Sequence, residues 1–510
     1  MRTNGPPDPP ESDGLPEASN APGIIEAVRN ALDQCPPPGE APATNPWKNL
    51  LHDRLHDEAL PAVIANDTIT PAASLWTGSR LWVQAFREAD LSAGDRLVVA
   101  LPPSTAFVQV LVAALWEGCT VALVPPHDDV PELLDALDAR AAVTPDGSPH
   151  AWGSDEYAGP RSPPDALRSP DTAPTPDVRF LLRTTGTTDH ARWVALSDRN
   201  VLSVLASHLP HFSLHDARVL SVLPWTHAFG LVLDFLPALL SDSELIRDPN
   251  GGRDPEHLIH LRDVWGATHL SAVPLTIQRL LDTGSGAALL RHLQGGIVGG
   301  APISGPLAEA LRDTALRVGY GLTEAAPGVA LGPPGTWAAH YLGRPVGCSV
   351  EIGDDGELLF HGPNACVGFW EHGTLHRADP DRLVSTGDLA ERDGDDLFFR
   401  GRKDDSFKLS NGRLVQAGAL EAVLKTRFPE LSDALVFTPN NTDVAIALCV
   451  PADIDHRPSD EDVQDVLGSL GERLVWTAAV APDSWVTLAK GSVDRDAMAA
   501  TLTDTYESAS

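Results

Sequence analysis

Lysine is the residue that this sequence most clearly lacks. Only five lysines occur in 510 residues, and arginine supplies the rest of the 37 basic side chains, against 70 acidic ones. The formal net charge is therefore −33. So acidic a surface repels the phosphates of nucleic acids and the headgroups of anionic lipids, which argues against both as binding partners.

Cysteines and long apolar runs are scarce as well. The five cysteines are odd in number, widely spaced and without a Cys-x-x-Cys pair, which indicates free thiols in a reducing cytoplasm and no zinc site. The longest apolar stretch, 219–240, is interrupted by two prolines, a histidine and an aspartate, and the first residues have no apolar core of a signal peptide. We therefore expect a cytoplasmic protein without a membrane span.

The distribution of proline, glycine and apolar residues divides the chain into three parts. Residues 1–46 are rich in Pro, Glu, Asp, Asn and Ala, which predicts a disordered tail with a short helix over 24–32. Residues 47–400 have the composition of a large globular domain. Residues 401–510 are expected to form a small α+β domain.

Strand and helix patterns alternate in the large domain. Helical spacing over 74–88 is followed by an apolar run at 96–101, and the alternation continues after it. This order predicts an α/β fold with doubly wound, mostly parallel sheets. Residues 146–178 are dense in Pro, Asp, Ser and Gly, which predicts a long loop. From Val350 the apolar period changes to two, which indicates a β-rich subdomain of antiparallel strands.

An apolar run at 180–183 leads into a segment with four hydroxyl groups around one glycine. The segment consists of Thr184, Thr185, Gly186, Thr187 and Thr188, and Arg192 follows it. Small residues let backbone N–H groups close around a phosphate, hydroxyls add donors, and an arginine offsets charge. No Gly-Lys-Ser/Thr follows, so this is not a Walker loop. The segment predicts a phosphate-binding loop, and a threonine-rich surface hairpin is the alternative.

Five further motifs follow the threonine segment in order. They are Trp225-Thr-His-Ala-Phe229, Gly299-Gly-Ala-Pro302, Gly319-Tyr-Gly-Leu-Thr-Glu324, Ser385-Thr-Gly-Asp388 and Gly401-Arg-Lys-Asp-Asp405. With them, the sequence resembles the adenylate-forming superfamily over about residues 50 to 500. That superfamily comprises acyl-CoA synthetases, luciferase-type enzymes and the adenylation domains of peptide synthetases. One such motif would be weak, whereas six in the family's order are a specific signal.

The resemblance implies that residues 47–400 are an AMP-binding adenylation domain and indicates which residues bind the nucleotide. Tyr320 offers a flat face to adenine, and the backbone of 299–302 approaches the edge of the base. Asp388 accepts hydrogen bonds from the ribose hydroxyls. The implied ATP- and AMP-binding residues are Thr184, Thr185, Gly186, Thr187, Thr188, Gly300, Ala301, Pro302, Gly319, Tyr320, Gly321, Thr323, Asp388 and Arg402.

The resemblance also implies a catalytic set. Its members are Arg192, His227, Glu324 and Lys490. Glu324 and Thr187 are the implied Mg²⁺ ligands, because a hard cation prefers oxygen, and Asp404 is the implied hinge. From the residues alone, the alternatives are a helix-start acid for Glu324, a turn aspartate for Asp388 and a core histidine for His227.

The superfamily's reaction has two steps, which implies ATP, Mg²⁺ and coenzyme A as cofactors and a small carboxylic acid as substrate. Acid and ATP give acyl-AMP and pyrophosphate. The small domain then rotates, and a thiol, usually that of coenzyme A, captures the acyl group. Acyl transfer to a carrier protein or to an amine is one alternative. A degenerate member that binds ATP but has weak or no adenylation is the other.

Two departures from the family's pattern favour the degenerate alternative. Where the family continues Gly-x-Pro-Lys-Gly after its threonines, this chain has Asp189-His-Ala-Arg-Trp193, which brings a carboxylate toward the phosphate. Where the family closes with Gly-Lys-Ile/Val-x-Arg, this chain has Ala489-Lys-Gly-Ser-Val-Asp-Arg495. Ser492 therefore aligns with the family's lysine, and Lys490 lies two residues upstream. Lys490 either replaces that lysine or is a solvated residue on a turn.

Overall fold

The structure is a computed structural model of the chain. It describes residues 23–509 except 38, 56–62, 66–67, 149, 156–158, 163–167, 169–170, 185–191, 404, 412, 429–430, 441, 451–457 and 487–492. The chain divides into two compact units. The first contains Met1–Val350 and Phe360–Val384, and the second contains Glu351–Leu359 and Ser385–Ser510.

Helices and strands alternate along the described chain. The α-helices are α1 (Ile24–Asp33), α2 (Trp47–Leu55), α3 (Ala72–Glu88), α4 (Thr105–Glu117), α5 (Val130–Ala136), α6 (Asp198–His208), α7 (Ala228–Gly230), α8 (Leu236–Leu240), α9 (Pro255–Trp265), α10 (Pro274–Leu281), α11 (Gly286–His292), α12 (Gly305–Leu311), α13 (Ala417–Arg427), α14 (Asp460–Leu467) and α15 (Arg495–Ala509). A π-helical segment, Leu231–Phe235, joins α7 to α8, and Thr323–Ala325 forms a single 3₁₀ turn.

Most of the strands have three to five residues. They are β1 (Val63–Ala65), β2 (Thr68–Thr70), β3 (Arg96–Val99), β4 (Thr120–Leu123), β5 (Ala141–Thr144), β6 (Asp146–Ser148), β7 (Ala151–Asp155), β8 (Gly159–Ser162), β9 (Phe180–Arg183), β10 (Trp193–Leu196), β11 (Arg218–Ser221), β12 (Glu244–Arg247), β13 (His269–Ser271), β14 (Ile297–Gly299), β15 (Arg317–Gly321), β16 (Gly328–Leu331), β17 (Tyr341–Pro345), β18 (Ser349–Ile352), β19 (Glu357–His361), β20 (Gly368–Glu371), β21 (Thr374–Arg377), β22 (Val384–Asp393), β23 (Asp396–Arg402), β24 (Ser406–Lys408), β25 (Leu414–Gln416), β26 (Asp433–Phe437), β27 (Val444–Cys449) and β28 (Leu474–Val480).

The first unit contains two large sheets, each with a run of parallel strands and antiparallel strands at one or both edges. One has the order β13–β11–β12–β1, all parallel, with β2 antiparallel at its edge. The other has the order β21–β20–β10–β9–β4–β3–β5–β7–β6, with parallel strands from β9 to β7. Separately, β14 and β15 pair in parallel, and β16 and β17 follow antiparallel. The predicted α/β class is confirmed.

Alternate side chains of the central strand β3 pack into different cores. Leu97 and Val99 belong to the cluster that includes Trp82 and Phe107, whereas Val98 belongs to a second cluster. A strand with both faces buried has a continuous apolar run rather than an alternating one. This explains the apolar run that predicted a strand at 96–101.

The hairpin that carries the threonine segment is fixed at both ends. Arg179 directly precedes β9, and Asp198 begins α6 after β10. The two side chains form a buried, bidentate ion pair, with Nε–Oδ1 at 2.8 Å and Nη2–Oδ2 at 2.9 Å. Trp47 Nε1 also donates to Asp198 Oδ1 at 2.5 Å. The pair therefore joins the start of the strand before the loop to the start of the helix after it.

The prediction of one long loop over 146–178 is wrong in its first part. That region contains β6, β7 and β8, and β7 adds to the sheet beside β5. Trp152 in β7 is 2% exposed and lies 5.4 Å, centroid to centroid, from the ring of Phe86. The strand depends on this contact with α3, which is distant in sequence, and local composition does not indicate it.

The packed part of the chain begins before Trp47. Helix α1 matches the short helix expected over 24–32, and its Val28 and Ala31 are buried in the main core. The helix packs against α6, so residues 23–46 belong to the first unit. The predicted tail is not tested over residues 1–22, which lie outside the described residues.

The second unit combines a β-hairpin with a small α+β layer. Strands β22 and β23 pair antiparallel, and β26, β27 and β28 form a three-stranded sheet that packs against α13 and α14. Leu435, Ala445 and Met498 belong to a second small core on the other face of that sheet. The unit includes residues before 401, and the predicted domain boundary at 400/401 stays a prediction.

Candidate active site

The predicted phosphate loop connects β9 and β10 in the first unit. Arg183 and Trp193 are paired in the register, and the N–H of Thr184 donates to the carbonyl of Arg192 at 3.0 Å, which closes the hairpin. Outside the described residues lie Thr185, Gly186, Thr187, Thr188 and Asp189. Phosphate binding by this loop therefore stays a prediction.

Arg192, the predicted cation of this loop, is held by an acid that no sequence pattern indicated. Its Nε donates to Oε1 of Glu371 at 3.0 Å, and its guanidinium lies 4.2 Å from the ring centroid of Phe369. Glu371 is close because β20 pairs with β10. The side chains are 53% and 36% exposed, and such a pair contributes only about 0.2–1 kcal/mol. A phosphate can therefore compete with Glu371 for Arg192.

His227 lies in the turn between β11 and α7. It occupies the position before the helix in an extended conformation, with φ of −108°. Burial lowers the pKa of its imidazole, so the ring is neutral at pH 7. Gly230 is required close by, because a Cβ there would lie 2.2 Å from the carbonyl oxygen of Pro224. The fold thus fixes His227 in the turn before α7, and its role toward a substrate stays a prediction.

A buried polar network, which the sequence did not indicate, supports this turn. Trp225 Nε1 donates to Ser221 Oγ at 2.9 Å, and that hydroxyl donates to Asp234 Oδ2 at 2.5 Å. Arg247 Nη1 donates to the carbonyls of Ser221 and Leu223 at 3.0 and 2.8 Å. Burial raises the pKa of Asp234 to about 7. The one sequence signal for this network was the aspartate that interrupts the apolar stretch 219–240.

Two glycine motifs meet at the carboxyl edge of β14 and β15. Gly299 and Gly319 are partners in the register, and a Cβ on Gly299 would lie 2.5 Å from the carbonyl oxygen of Gly319. Gly300 follows with φ of +85°, in the left-handed region that favours glycine. The turn 299–302 and Tyr320 therefore lie side by side, at the edge where ligands of parallel sheets bind. The structure thus brings the predicted nucleotide-binding turn 299–302 next to Tyr320.

Glu324 lies in the 3₁₀ turn directly after this edge. Its carbonyl accepts a hydrogen bond from the N–H of Cys366 at 2.8 Å, and its side chain is half-buried. The turn contacts β10, the strand that follows the phosphate loop. Asn200 fixes the segment before Cys366 by donating to the carbonyls of Pro363 and Ala365 at 2.8 and 2.7 Å. Glu324 is therefore beside the base of the hairpin, on a constrained backbone.

In the second unit, the predicted nucleotide residues Asp388 and Arg402 are partners across β22 and β23. Arg402 Nη1 donates to Asp388 Oδ1 at 2.9 Å, and the two residues are paired in the register. Asp388 is 8% exposed, whereas the Arg402 side chain is 43% exposed. Gly387 has φ of +71°, so the turn before Asp388 suits glycine. The hydrogen bond from Arg402 thus orients the carboxylate of Asp388.

Glu357 and Lys403 form a supporting network that the motifs did not include. Glu357 accepts hydrogen bonds from Lys403 Nζ at 2.7 Å, from the N–H of Gly387 at 2.9 Å and from Ser385 Oγ. Burial opposes ionisation of Glu357, but these donors together hold its pKa below the usual value. Lys403 also pairs with Asp355 at 2.7 Å. The network ties Lys403, in the segment after β23, to the Ser385–Asp388 segment of β22.

The predicted hinge and the closing motif are described only in part. Asp404, Lys490 and Ser492 lie outside the described residues, so their roles stay predictions. Arg495, the last residue of the closing motif, donates through Nη1 to Glu421 Oε2 at 2.7 Å. Its Nε lies 3.4 Å from Asp405 Oδ1. Arg495 therefore ties the closing motif to the residue after the predicted hinge.

Within the described parts of the chain, none of the helices has both the length and the apolar character needed to span a membrane.

The family model for AMP-binding enzymes matches residues 73–370. The match covers more than half of the chain and includes the phosphate hairpin, the Tyr320 edge and the Glu324 turn. The chain belongs to the AMP-binding enzyme family. The predictions of an adenylate-forming enzyme and of its fold class are confirmed.

Individual relatives of this AMP-binding enzyme are ligases and synthetases. Feruloyl-CoA synthase of an Amycolatopsis species is 28% identical over 407 residues, which cover 74% of this chain and 82% of the relative. Phenyloxazoline synthase MbtB of Mycobacterium tuberculosis is 27% identical over 494 residues, which cover 85% of this chain and 33% of that protein.

A solved structure matches the fold. O-succinylbenzoate coenzyme A synthetase (MenE) from Bacillus subtilis, in complex with ATP and a magnesium ion, superposes with a TM-score of 0.68. It is 19% identical, with coverage of 88% of this chain and 98% of that one. At this identity the likeness extends to the fold alone.

Proposed function

We propose that the chain is an AMP-forming ligase that activates a small carboxylic acid with ATP and transfers the acyl group to coenzyme A. The proposal rests on one observation. The 299–302 turn and Tyr320 lie side by side, and the turn of Glu324 that follows them contacts β10, a strand of the hairpin that contains Arg192. The feruloyl-CoA synthase is similar to this chain over 82% of its own length, and its name supports a coenzyme A thioester as the product.

In the first step, a carboxylate oxygen of the acid attacks the α-phosphorus of ATP. The new oxygen–phosphorus bond forms as the bond to pyrophosphate breaks, and in-line positioning accounts for much of the acceleration. Arg192 and the N–H groups of 184–188 would bind phosphate oxygens, and Tyr320 would stack on adenine. Preorganised donors of this kind stabilise charge as it develops.

Glu324 is the described residue that fits a magnesium ion. Its carboxylate is a hard oxygen ligand on a backbone constrained by Cys366. Thr187, the second implied ligand, would be the other magnesium ligand that the protein supplies. When bound, the ion would neutralise charge on the phosphates. The solved MenE complex holds ATP and magnesium, which supports this assignment.

In the second step, the thiolate of coenzyme A attacks the acyl carbonyl and AMP leaves. Asp388 and Arg402 would hold the ribose, and rotation about Asp404 would exchange the residues that face the acyl-AMP. The described cysteines are free and buried, which supports a reducing compartment such as the cytoplasm.

A carrier-protein thiol is the second candidate acceptor. The similarity to phenyloxazoline synthase over most of this chain favours it. Product identification after addition of coenzyme A, of a carrier protein or of an amine separates the three acceptors.

Pyrophosphate release with a panel of carboxylic acids tests the first step. We expect release with at least one acid, and Glu324→Gln should slow it at least about tenfold, since even outer-shell partners of a metal contribute about 10–100-fold. Glu309→Gln, an exposed glutamate on α12, is the matched control. No release with any acid would favour the degenerate member, for which Asp189 and Ser492 are the sequence indications.

A further inference from the structure

A cavity of about 90 Å³ lies within the first unit, away from the nucleotide edge. Its walls include Arg317 at the start of β15, His269 at the start of β13, and Asp234 in the π-helical segment. Tyr320 lies three residues beyond Arg317, and a strand rises about 3.3 Å per residue, so roughly 10 Å separate the cavity from that edge.

Among the residues that the structure describes, no carboxylate forms an ion pair with the buried guanidinium of Arg317. Arg317 is 6% exposed, and its Nη1 has no hydrogen-bond partner in the described ranges of the chain. Burial lowers the pKa of its guanidinium to about 10, and no nearby carboxylate offsets that effect. The group is still ionised at neutral pH. Buried charges are ordinarily paired, because an uncompensated one is costly to keep away from water.

The acid in the same wall interacts with other groups, although its Oδ1 has no hydrogen-bond partner among the described residues. Asp234 is 2% exposed, accepts from Ser221, and is stabilised in its ionised form by Arg247 rather than by Arg317. Its raised pKa of about 7 leaves it partly protonated at neutral pH. Asp234 therefore does not neutralise Arg317.

His269 adds a neutral polar atom to the cavity wall. It is 5% exposed, and burial lowers its pKa to about 4, so the ring is uncharged at pH 7. Its Nδ1 lies 2.9 Å from Thr268 Oγ1. Its Nε2 is without a partner within the described part of the chain. Arg317 and His269 thus both have hydrogen-bonding donor or acceptor atoms without a partner among the described residues, as Asp234 has through Oδ1.

We propose that this cavity binds the carboxylate group of a small organic acid against Arg317. A planar guanidinium matches a carboxylate with two parallel hydrogen bonds. One water-sized position takes about 10–15 Å³ by this measure of volume, so the cavity has room for a small acid but not for a nucleotide. The net charge of −33 disfavours diffuse attraction of anions, so anion binding must come from a local cation.

The carboxylate has two sources that the same experiment can separate. One is a free small acid. The other is the far carboxylate of a dicarboxylic substrate whose reacting carboxylate lies at the nucleotide edge, roughly 10 Å away. The second source rests on the proposed ligase function, and the first does not.

The first arm measures binding of acetate and of benzoate by calorimetry at fixed chloride and pH 7. Arg317→Met should weaken binding roughly 10- to 100-fold, the range for loss of a charge-assisted hydrogen bond, and Arg317→Lys should retain part of it. Arg312→Met, an exposed arginine on the surface, should leave binding unchanged. Arg317-dependent binding here identifies a free acid as ligand.

The second arm compares kcat/KM for monocarboxylic acids and for dicarboxylic acids of equal chain length. If the substrate supplies the carboxylate, the wild type prefers dicarboxylic acids and Arg317→Met loses that preference, with monocarboxylic rates unchanged. If no acid is activated at all, the proposed function has failed and the first arm alone decides about the cavity.

If neither arm shows a dependence on Arg317, the proposal is overturned. The melting temperature of the unliganded variants checks for a structural role. Removing an unpaired buried charge should leave Arg317→Met at least as stable as the wild type. A lower melting temperature for Arg317→Met, with unchanged binding, would show that the arginine serves packing and would likewise overturn the proposal.

Discussion

At the scale of single residues, Glu371 determines where the guanidinium of Arg192 lies before a nucleotide binds. The contact is an exposed ion pair, strengthened by the ring of Phe369. Water and salt weaken such a pair. A triphosphate carries more charge than one carboxylate, so it should take the arginine from Glu371. Glu371 then acts as a competitor of the nucleotide for Arg192.

Replacing Glu371 with glutamine should therefore tighten ATP binding. The gain is limited to the strength of an exposed pair, about 0.2–1 kcal/mol, or up to about fivefold in Kd. Arg192→Ala should weaken ATP binding in the same assay. Glu391→Gln removes a comparable exposed partner of Arg400 in the second unit and is the control. Weaker ATP binding by Glu371→Gln would show that Glu371 positions Arg192 rather than competing for it.

Asp388→Ala should weaken ATP binding at least about tenfold. Hydrogen bonds from the ribose hydroxyls to a charged acceptor contribute roughly 1.5–3 kcal/mol each. Glu391→Ala, on the same strand but 66% exposed in its side chain, separates this effect from general damage to β22. An unchanged nucleotide affinity, measured by calorimetry, would remove Asp388 from the site.

At the scale of elements, the buried pair of Arg179 and Asp198 fixes the hairpin that carries the predicted phosphate loop. The strand before the loop and the helix after it are joined by two hydrogen bonds of the same pair. A loop whose ends are fixed needs less ordering when it binds a ligand. The pair therefore links the packing of α6 to the position of Thr184.

Asp198→Asn should destabilise the first unit by about 3–5 kcal/mol, because it leaves the buried guanidinium of Arg179 without a counter-ion. Urea unfolding followed by tryptophan fluorescence measures the loss. Asp263→Asn, in an exposed pair with Arg262, should change stability by less than about 0.5 kcal/mol. Equal shifts in the two variants would mean that the pair contributes no more than a surface contact.

Elements whose signals are local were predictable from the sequence. Helix α6 begins at Asp198 because Ser197 and Asn200 form a reciprocal cap, a signal that lies within four consecutive residues. Contacts between distant segments were not legible. Trp152 forms part of a strand because Phe86 covers it, and Glu371 reaches Arg192 because β20 pairs with β10.

The same distinction holds for the site. The glycine motifs marked the edge of β14 and β15, because a close approach of two backbones needs glycine in the sequence. Glu357 and Lys403 carried no such mark, since an acid and a lysine 46 positions apart become partners only through tertiary structure. The network of Ser221 and Asp234 was hidden for the same reason.

At the scale of the whole molecule, the excess of acid must work against compactness. With 70 acidic and 37 basic side chains, like charges repel one another in the folded state and separate on unfolding. The arginines are largely committed to specific partners, as Arg179, Arg192 and Arg402 illustrate. Mobile counter-ions are then the remaining means of screening the surface.

The melting temperature should therefore rise between 0.05 and 1 M NaCl, as the screening length falls from more than about 10 Å to about 3 Å. Each kcal/mol of repulsion relieved should raise it by about 2 °C or somewhat more for domains of this size. NaCl is preferred to sulfate, which stabilises proteins in general through exclusion from their surfaces. Exchange of two exposed acids, Asp395→Lys and Glu472→Lys, lowers the repulsion directly. This double variant should melt higher at low salt and respond less steeply to NaCl. A flat salt dependence in the wild type would contradict the argument and place the stability of the fold in its cores and buried pairs alone.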